Sequence, residues 1–251
     1  MKNIFKVALA TLAIAGMSGA AHADLNYNGE VGLPLNPTAQ IPQEGGFRLQ
    51  GNYYDLGSSS RLYSVGGAIR ASKTAPIEVN GAVNYVDGNA GNNDVRFSVG
   101  AKYLFSRETE PAGVRLAAGV GYSEYSLSTD HLKNARAYLV GSKSFGNPVE
   151  GKTSITGHLG LRYDHFEFGG GDSDKASVFA GVEIPVTPTG EIQLLGEVGS
   201  EVADGGNVPY SVGIRYRPMQ KPFGATIGVQ RVGIANDDPK LFVQIGYTFG
   251  K

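Results

Sequence analysis

From Phe47 to the C-terminus apolar and polar residues alternate with a period of two, and no stretch beyond Asp24 keeps a helical period. The run from Val95 to Phe105 shows this best. Val95, Phe97, Val99, Ala101, Tyr103 and Phe105 fall on one side of an extended chain, and Arg96, Ser98, Gly100 and Lys102 on the other. If the apolar side meets hydrocarbon, a slip of one residue would put Arg96 and Lys102 into lipid, at ~2–4 kcal/mol for a basic side chain at the midplane. Register is therefore well specified. The same reading predicts about twelve strands of transmembrane length, near 47–56, 61–72, 76–87, 94–105, 113–126, 134–145, 152–165, 174–186, 190–202, 208–218, 223–232 and 240–249. The segment 134–145 is ambiguous, because both of its faces carry apolar residues beside Arg136 and Lys143.

The connections sort into two kinds. One set is polar, Gly-rich and leans acidic: Gly57 to Ser60, Gly88 to Asn93, Ser128 to His131, Gly169 to Asp174, Asp204 to Asn207 and Asn236 to Asp238. The alternate set carries Pro76, Pro111, Pro148, Pro188 and Pro222 in compact turns. Apolar-side aromatics sort as well, with Tyr53, Tyr63, Tyr85, Tyr122, Tyr163 and Tyr210 at one end of the strands. At the other end lie Phe47, Tyr103, Phe105, Tyr216, Phe223, Tyr247 and Phe249. Two belts of amphipathic rings mark the two interfaces of a membrane. The expected fold is all-β, an antiparallel transmembrane β-barrel over 47–251 with both termini periplasmic.

Composition adds the compartment. Lys2 and Lys6, the apolar run Val7 to Gly16 and the triplet Ala21-His22-Ala23 read as a signal peptide over 1–23, cleaved before Asp24. That run is too short for the ~20 residues of a spanning helix. There are no cysteines, so the exported chain depends on hydrogen bonding and burial, which a closed barrel supplies. The expected location is the outer membrane of a Gram-negative-type bacterium. Expected partners are its lipid and lipopolysaccharide, and the barrel-assembly machinery during insertion. The strand ending Tyr247-Thr248-Phe249 resembles the signal which that machinery reads, although Gly250 and Lys251 follow it. A net charge of −1 gives no reason to expect nucleic acid.

The inward face carries the candidate functional residues. Basic lumenal positions are Arg48, Arg70, Arg96, Lys102, Arg115, Arg162, Arg215 and Arg217, and acidic ones are Glu78, Asp164, Glu183, Glu191 and Glu197. Either opposed basic and acidic walls set up a transverse field across an aqueous pore, or the charges pair and close the lumen. Twelve strands lie between filled eight-stranded barrels and open sixteen-stranded ones, so size leaves both open.

Catalytic patterns are weak. Gly146-Asn147-Pro148-Val149-Glu150-Gly151-Lys152-Thr153 matches a phosphate-binding loop by letter, but a strand pattern follows where a helix is required, and Pro148 removes a donor. Beyond the leader the histidines are His131, His158 and His165, none with Ser two residues on. Asp130-His131 and Asp164-His165 are adjacent pairs whose members point to opposite faces, which leaves only a dyad assembled between loops. Asp87 to Asp94, and Asp172 with Asp174, offer oxygen ligands but no complete cation-loop signature. No catalytic residue, cofactor or metal is assigned.

Two stretches resemble a known family. Gly32-Leu33-Pro34-Leu35-Asn36-Pro37-Thr38-Ala39-Gln40-Ile41-Pro42 leads through Gly45-Gly46 to Phe47-Arg48-Leu49. The second stretch runs through Lys102-Tyr103-Leu104-Phe105-Ser106-Arg107-Glu108, Pro111-Ala112, Ala117-Ala118-Gly119-Val120-Gly121 and Ala137 to Gly146. In order and spacing these are similar to the YjbH-like outer-membrane barrels associated with exopolysaccharide production. The resemblance implies a non-enzymatic barrel that passes, or helps pass, polar glycan; members of that family are usually much longer. The alternative is a non-conducting structural or adhesive barrel. Pro34, Pro37 and Pro42 favour extended backbone over 24–46, either a plug in the lumen or an exposed lead-in.

Overall fold

A computed structural model describes residues 24–57, 60–72, 74–87, 93–108, 113–126, 131–145, 154–168, 171–201, 207–218, 221–232 and 238–249. The expected leader, the phosphate-loop-like segment and most of the Gly-rich connections lie outside the described residues.

Twelve antiparallel strands form one closed barrel: β1 (Phe47–Gly57), β2 (Ser60–Arg70), β3 (Ile77–Asp87), β4 (Asn93–Ser106), β5 (Arg115–Ser126), β6 (His131–Phe145), β7 (Ile155–Phe168), β8 (Gly171–Pro185), β9 (Ile192–Gly199), β10 (Tyr210–Tyr216), β11 (Phe223–Arg231) and β12 (Lys240–Phe249). Closure is the pairing of β1 with β12, from Phe47 opposite Phe249 to Tyr54 opposite Phe242. With both edges paired, no row of backbone groups faces lipid unsatisfied. The end where β1 starts and β12 finishes is called proximal here, and the other end distal.

Burial follows the alternation: Val99 is 52% exposed on the outer face while Ser98 beside it is 1% exposed. Aromatics gather at both ends. Phe47 stacks on Phe249 at 5.9 Å and Tyr216 meets Phe223 at 6.2 Å proximally; distally Tyr53, Tyr63 and Tyr85 follow one another at 5.5 and 6.5 Å.

Strand lengths depart from the sequence reading. Strands β6, β7 and β8 reach about three residues further distally than alternation predicts, with Lys133 opposite Glu167 and Glu167 opposite Asp172. Alternation reports contact with hydrocarbon, whereas the hydrogen-bond ladder continues past it into water. Strands β9 and β10 are shorter than expected, at 8 and 7 residues.

The ambiguous β6 also resolves. Asn134, Arg136, Tyr138, Val140 and Ser142 are buried and inward, and Ala135, Ala137 and Leu139 are outward. Tyr138 and Val140 are apolar on the lumenal side because they pack with Leu104, Ala117 and Phe179 against Ala39 and Ile41 of the N-terminal segment.

Candidate functional site

The lumen is occupied by the chain's own N-terminal segment. From Asp24 to Ala39 every residue except Tyr27 is buried, and exposure returns only at Gln43 to Gly45. The prolines prevent regular structure, and the segment folds on itself through isolated bridges of Leu25 with Val31 and Gly32 with Pro37. Asn26 organises the first turn, its side-chain oxygen accepting the backbone N–H groups of Asn28 (2.9 Å) and Glu30 (3.1 Å).

The wall supplies the partners that this irregular backbone lacks. Glu78 accepts the N–H of Val31 at 3.0 Å, Glu197 those of Leu35 (2.8 Å) and Asn36 (3.1 Å), and Ser142 Oγ that of Ala39 at 3.0 Å. Lys102 donates to the carbonyl of Val31 at 2.9 Å and Ser98 to that of Asn28 at 3.0 Å. Close approach is made possible at the first turn, where Gly29 (φ 85°) lies against the backbone of Gly81 and its Cα lies 3.1 Å from where a Cβ on Gly66 would sit. Leu33 occupies the recess left at Gly181.

Two carboxylates of the segment serve as anchors. Asp24 faces Arg48 (2.6 Å), Arg215 and Arg217 (3.2 Å), and Glu30 faces Arg136 (3.0 Å). Burial alone would raise the Asp24 carboxyl, but the guanidinium groups of Arg215, Arg217 and Arg48 outweigh it and hold the group well below the usual carboxylate range. Glu30 shifts the same way, burial opposing and Arg136 with Asn26 prevailing.

Of the lumenal residues proposed from sequence, Arg48, Glu78, Arg96, Lys102, Asp164, Glu183, Glu197 and Arg215 are buried, and Arg162 and Arg217 are partly so. Three wall pairs form, Lys102 with Glu78 (3.0 Å), Arg162 with Asp164 (2.7 Å) and Arg215 with Glu183 (3.2 Å), while Arg48 and Arg217 face Asp24 of the segment, and Glu197 accepts from the Leu35 and Asn36 N–H groups and from Ser211. Arg96 donates to Asn28 at 2.9 Å and lies over the Tyr27 ring. Arg70 ends β2 and donates to the carbonyl of Ser72, and Arg115 starts β5 and pairs with Glu108 (3.4 Å), so both sit at the proximal rim. Glu191 is a correction. It lies in the turn before β9 with Thr189 as partner, because the strand starts at Ile192, two residues later than expected.

Arg136 is the main lumenal charge that sequence reasoning left unassigned. Gly121 on β5, whose Cβ would fall 2.7 Å from the guanidinium, is the signal that could have placed it. His158 was passed over too. Its Nδ1 is 2.7 Å from Ser142 Oγ and its Nε2 is 3.4 Å from Glu183. The order resembles a nucleophile relay, but Ser142 is 1% exposed and covered by the N–H of Ala39, so the group holds the segment in place.

His165 pairs with Asp174 at 2.7 Å on the outer face of the distal extension, while Asp164 points into the lumen. The His131 side chain and Asp130 lie outside the described residues. Among the described residues no three His, Asp or Glu side chains are grouped to hold a metal ion.

Above the segment the distal lumen opens into a cup of about 240 Å³, floored by Tyr27, Asn28, Leu35 and Asn36.

No protein-family model matches the chain, and no curated protein sequence does. Solved structures of similar fold include a KdgM porin in complex with disordered oligogalacturonate, 13% identical over 82% of this chain and 99% of that one, with a TM-score of 0.55. KdgM porin without that ligand gives 14% identity, the same coverage and the same TM-score. The Acinetobacter baumannii outer membrane protein Omp33 is 11% identical over 82% of this chain and 99% of its own, with a TM-score of 0.48. The fold is that of an outer-membrane porin-like β-barrel.

Proposed function

We propose that the protein is a plugged outer-membrane channel, with both termini in the periplasm, whose lumen passes polar glycan of oligosaccharide size once segment 24–42 withdraws. The observation that carries this reading is the polar character of the plug's attachment. Val31, Leu35, Asn36 and Ala39 are held through backbone N–H groups by wall carboxylates and a hydroxyl, bonds that water can replace in a hydrated lumen. Withdrawal would strip Asp24 and Glu30 from Arg48, Arg136, Arg215 and Arg217, leaving a basic conduit suited to anionic or hydroxyl-rich solute. The oligogalacturonate of the KdgM complex and the resemblance to YjbH-like barrels both support a glycan.

A non-conducting structural barrel is favoured by a different observation, the apolar packing of Ala39 and Ile41 on Leu104, Tyr138 and Val140. Planar-bilayer recordings separate the two. The full barrel is expected to be nearly silent. A variant lacking 25–42 is expected to show anion-selective steps that oligosaccharide blocks and Arg96→Ala or Arg115→Ala alters. A folded, inserted variant that stays silent would support the structural barrel.

A further inference from the structure

Strand β8 outruns one of its two neighbours. It pairs with β7 from its distal start, where Gly171 stands opposite Phe168, but with β9 only from Phe179 opposite Gly199 to Pro185 opposite Gln193. One further contact closes the seam: Ser200 N–H donates to the carbonyl of Val178 at 2.8 Å, and Ser200 Oγ accepts the Val178 N–H at 3.0 Å. Backbone groups alternate sides along a strand, so Ala176, Asp174 and Asp172, in step with Val178, turn their N–H and C=O groups to the side where β9 has ended. Among the described residues those groups have no partner. All three residues are exposed, and Ala176 stands opposite Tyr163, which places the open edge at and beyond the distal aromatic belt. Such a row of strand groups is a template for a further strand.

The side chains along this edge specify what can pair with it. Asp172 and Asp174 point outward, opposite Glu167 and His165 of β7. On the outer face of the distal extension the described carboxylates are Glu124, Glu167, Asp172 and Asp174, and the described bases are Lys133 and His165. That face is therefore acidic even with His165 protonated and with the Lys133–Glu167 (3.6 Å) and His165–Asp174 (2.7 Å) pairs formed. A second copy presenting the same edge would set aspartates against aspartates, which is unfavourable. On the lumenal side the edge carries Ser173 and Lys175, so a base is disfavoured there. Toward the membrane the outer face turns apolar, with a groove of about 490 Å³ bordered by Leu161, Tyr163, Ala176 and Val178. We infer that the distal edge of β8 receives an extended segment of another protein as an added antiparallel strand. That segment carries an apolar residue opposite Ala176, Lys or Arg opposite Asp174 and Asp172, and uncharged residues between them. Main-chain hydrogen bonds supply affinity, and the alternate basic side chains supply selection. In the orientation proposed above the partner comes from outside the cell. The edge is complete whether or not the plug moves.

The test uses the full protein in detergent-free lipid nanodiscs and fluorophore-labelled peptides read by anisotropy. The probe is acetylated Leu-Thr-Lys-Thr-Lys-Thr; its controls are the same peptide N-methylated at both lysines, and Leu-Thr-Glu-Thr-Glu-Thr. The lysine N–H groups are those that would meet β8, so N-methylation removes the ladder and keeps the charge. The probe is expected to bind and to slow amide exchange at Asp172, Asp174 and Ala176, with both controls at least about tenfold weaker. Ala176→Pro removes an N–H on the open side alone and leaves the β7 ladder intact, and it should weaken the probe at least about tenfold, as should Asp172→Asn combined with Asp174→Asn. Heat-modifiable gel mobility reports the folded barrel, and if Ala176→Pro does not insert, the N-methylated peptide decides. Absence of probe binding, equal affinity for the N-methylated peptide, or undiminished binding in the folded variants would each overturn the assignment. Disulfide-linked dimers of Ala176→Cys in liposomes would overturn it too, by giving the edge to a second copy. None of these results bears on whether deletion of 25–42 opens a current.

Discussion

Arg136 on β6, lying over the neighbouring β5, meets Glu30 of the N-terminal segment, Nη2 to Oε1 at 3.0 Å and Nε to the same oxygen at 3.2 Å, with both side chains almost wholly buried. Removing one partner of such a pair leaves a charge without water or counter-ion, at about 3–5 kcal/mol. Arg136→Ala should therefore raise amide hydrogen exchange across residues 26–33 by about a hundredfold or more, with the strand ladders unchanged. The double variant Glu30→Gln with Arg136→Ala should recover part of the protection. Equal exchange in the wild type and the single variant would show that the pair does not hold the segment.

Asp24 sets an acid limit on docking. Its folded-state affinity for a proton is depressed by Arg215, Arg217 and Arg48 against the effect of burial. A depressed carboxyl stabilises fully above its unfolded value and loses that stabilisation as pH falls through the lower folded value. The docking difference between wild type and Asp24→Asn should therefore stay constant from pH 7 to about pH 4 and shrink only below that. A spin label on Tyr27→Cys reports docking by its mobility. A difference that already closes between about pH 6 and pH 5 would contradict the clamp.

The membrane assignment rests on Val99 and Ser98, neighbours with opposite exposure. A spin label at Val99 should be quenched by lipid-soluble oxygen and one at Ser98 should not, and Val99→Lys should cost ~2–4 kcal/mol of stability in vesicles if the position is near the midplane. The reverse labelling pattern would invert every strand.

Strand number, register and facing were legible because hydrocarbon imposes a strict period-two code, and Val95 to Phe105 carries it with one exception, the inward Leu104 that packs with Ala39. The code falls silent where neither face meets lipid, which is why the distal reach of β6 to β8 was not visible. It also misleads where protein fills the lumen: Tyr138 and Val140 look outward by composition, yet they face Ala39 and Ile41. The lumenal charges on β1, β3, β4 and β10 were readable one by one. Their partners were not, because Asp24 and Glu30 reach Arg215 and Arg136 through tertiary folding of a Pro-rich segment with no period of its own.

Two glycines of that segment allow plug docking to be separated from backbone strain. Gly29 and Gly45 both have positive φ, 85° and 71°, so alanine at either pays ~1–2 kcal/mol for a left-handed conformation. Only at Gly29 would the added Cβ also collide with the carbonyl of Gly81, a backbone atom in a paired strand that cannot yield; at Gly45 nothing lies within 4 Å. Gly29→Ala should therefore push the first turn off the wall and take Glu30 away from Arg136, whereas Gly45→Ala should leave docking intact. Label mobility at Tyr27→Cys should rise in the first variant alone, and if the segment gates the lumen, bilayer current should rise with it. Matching behaviour of the two would mean that contact with Gly81 does not hold the segment. Mobility that rises without current would mean that the segment can leave a lumen which stays shut.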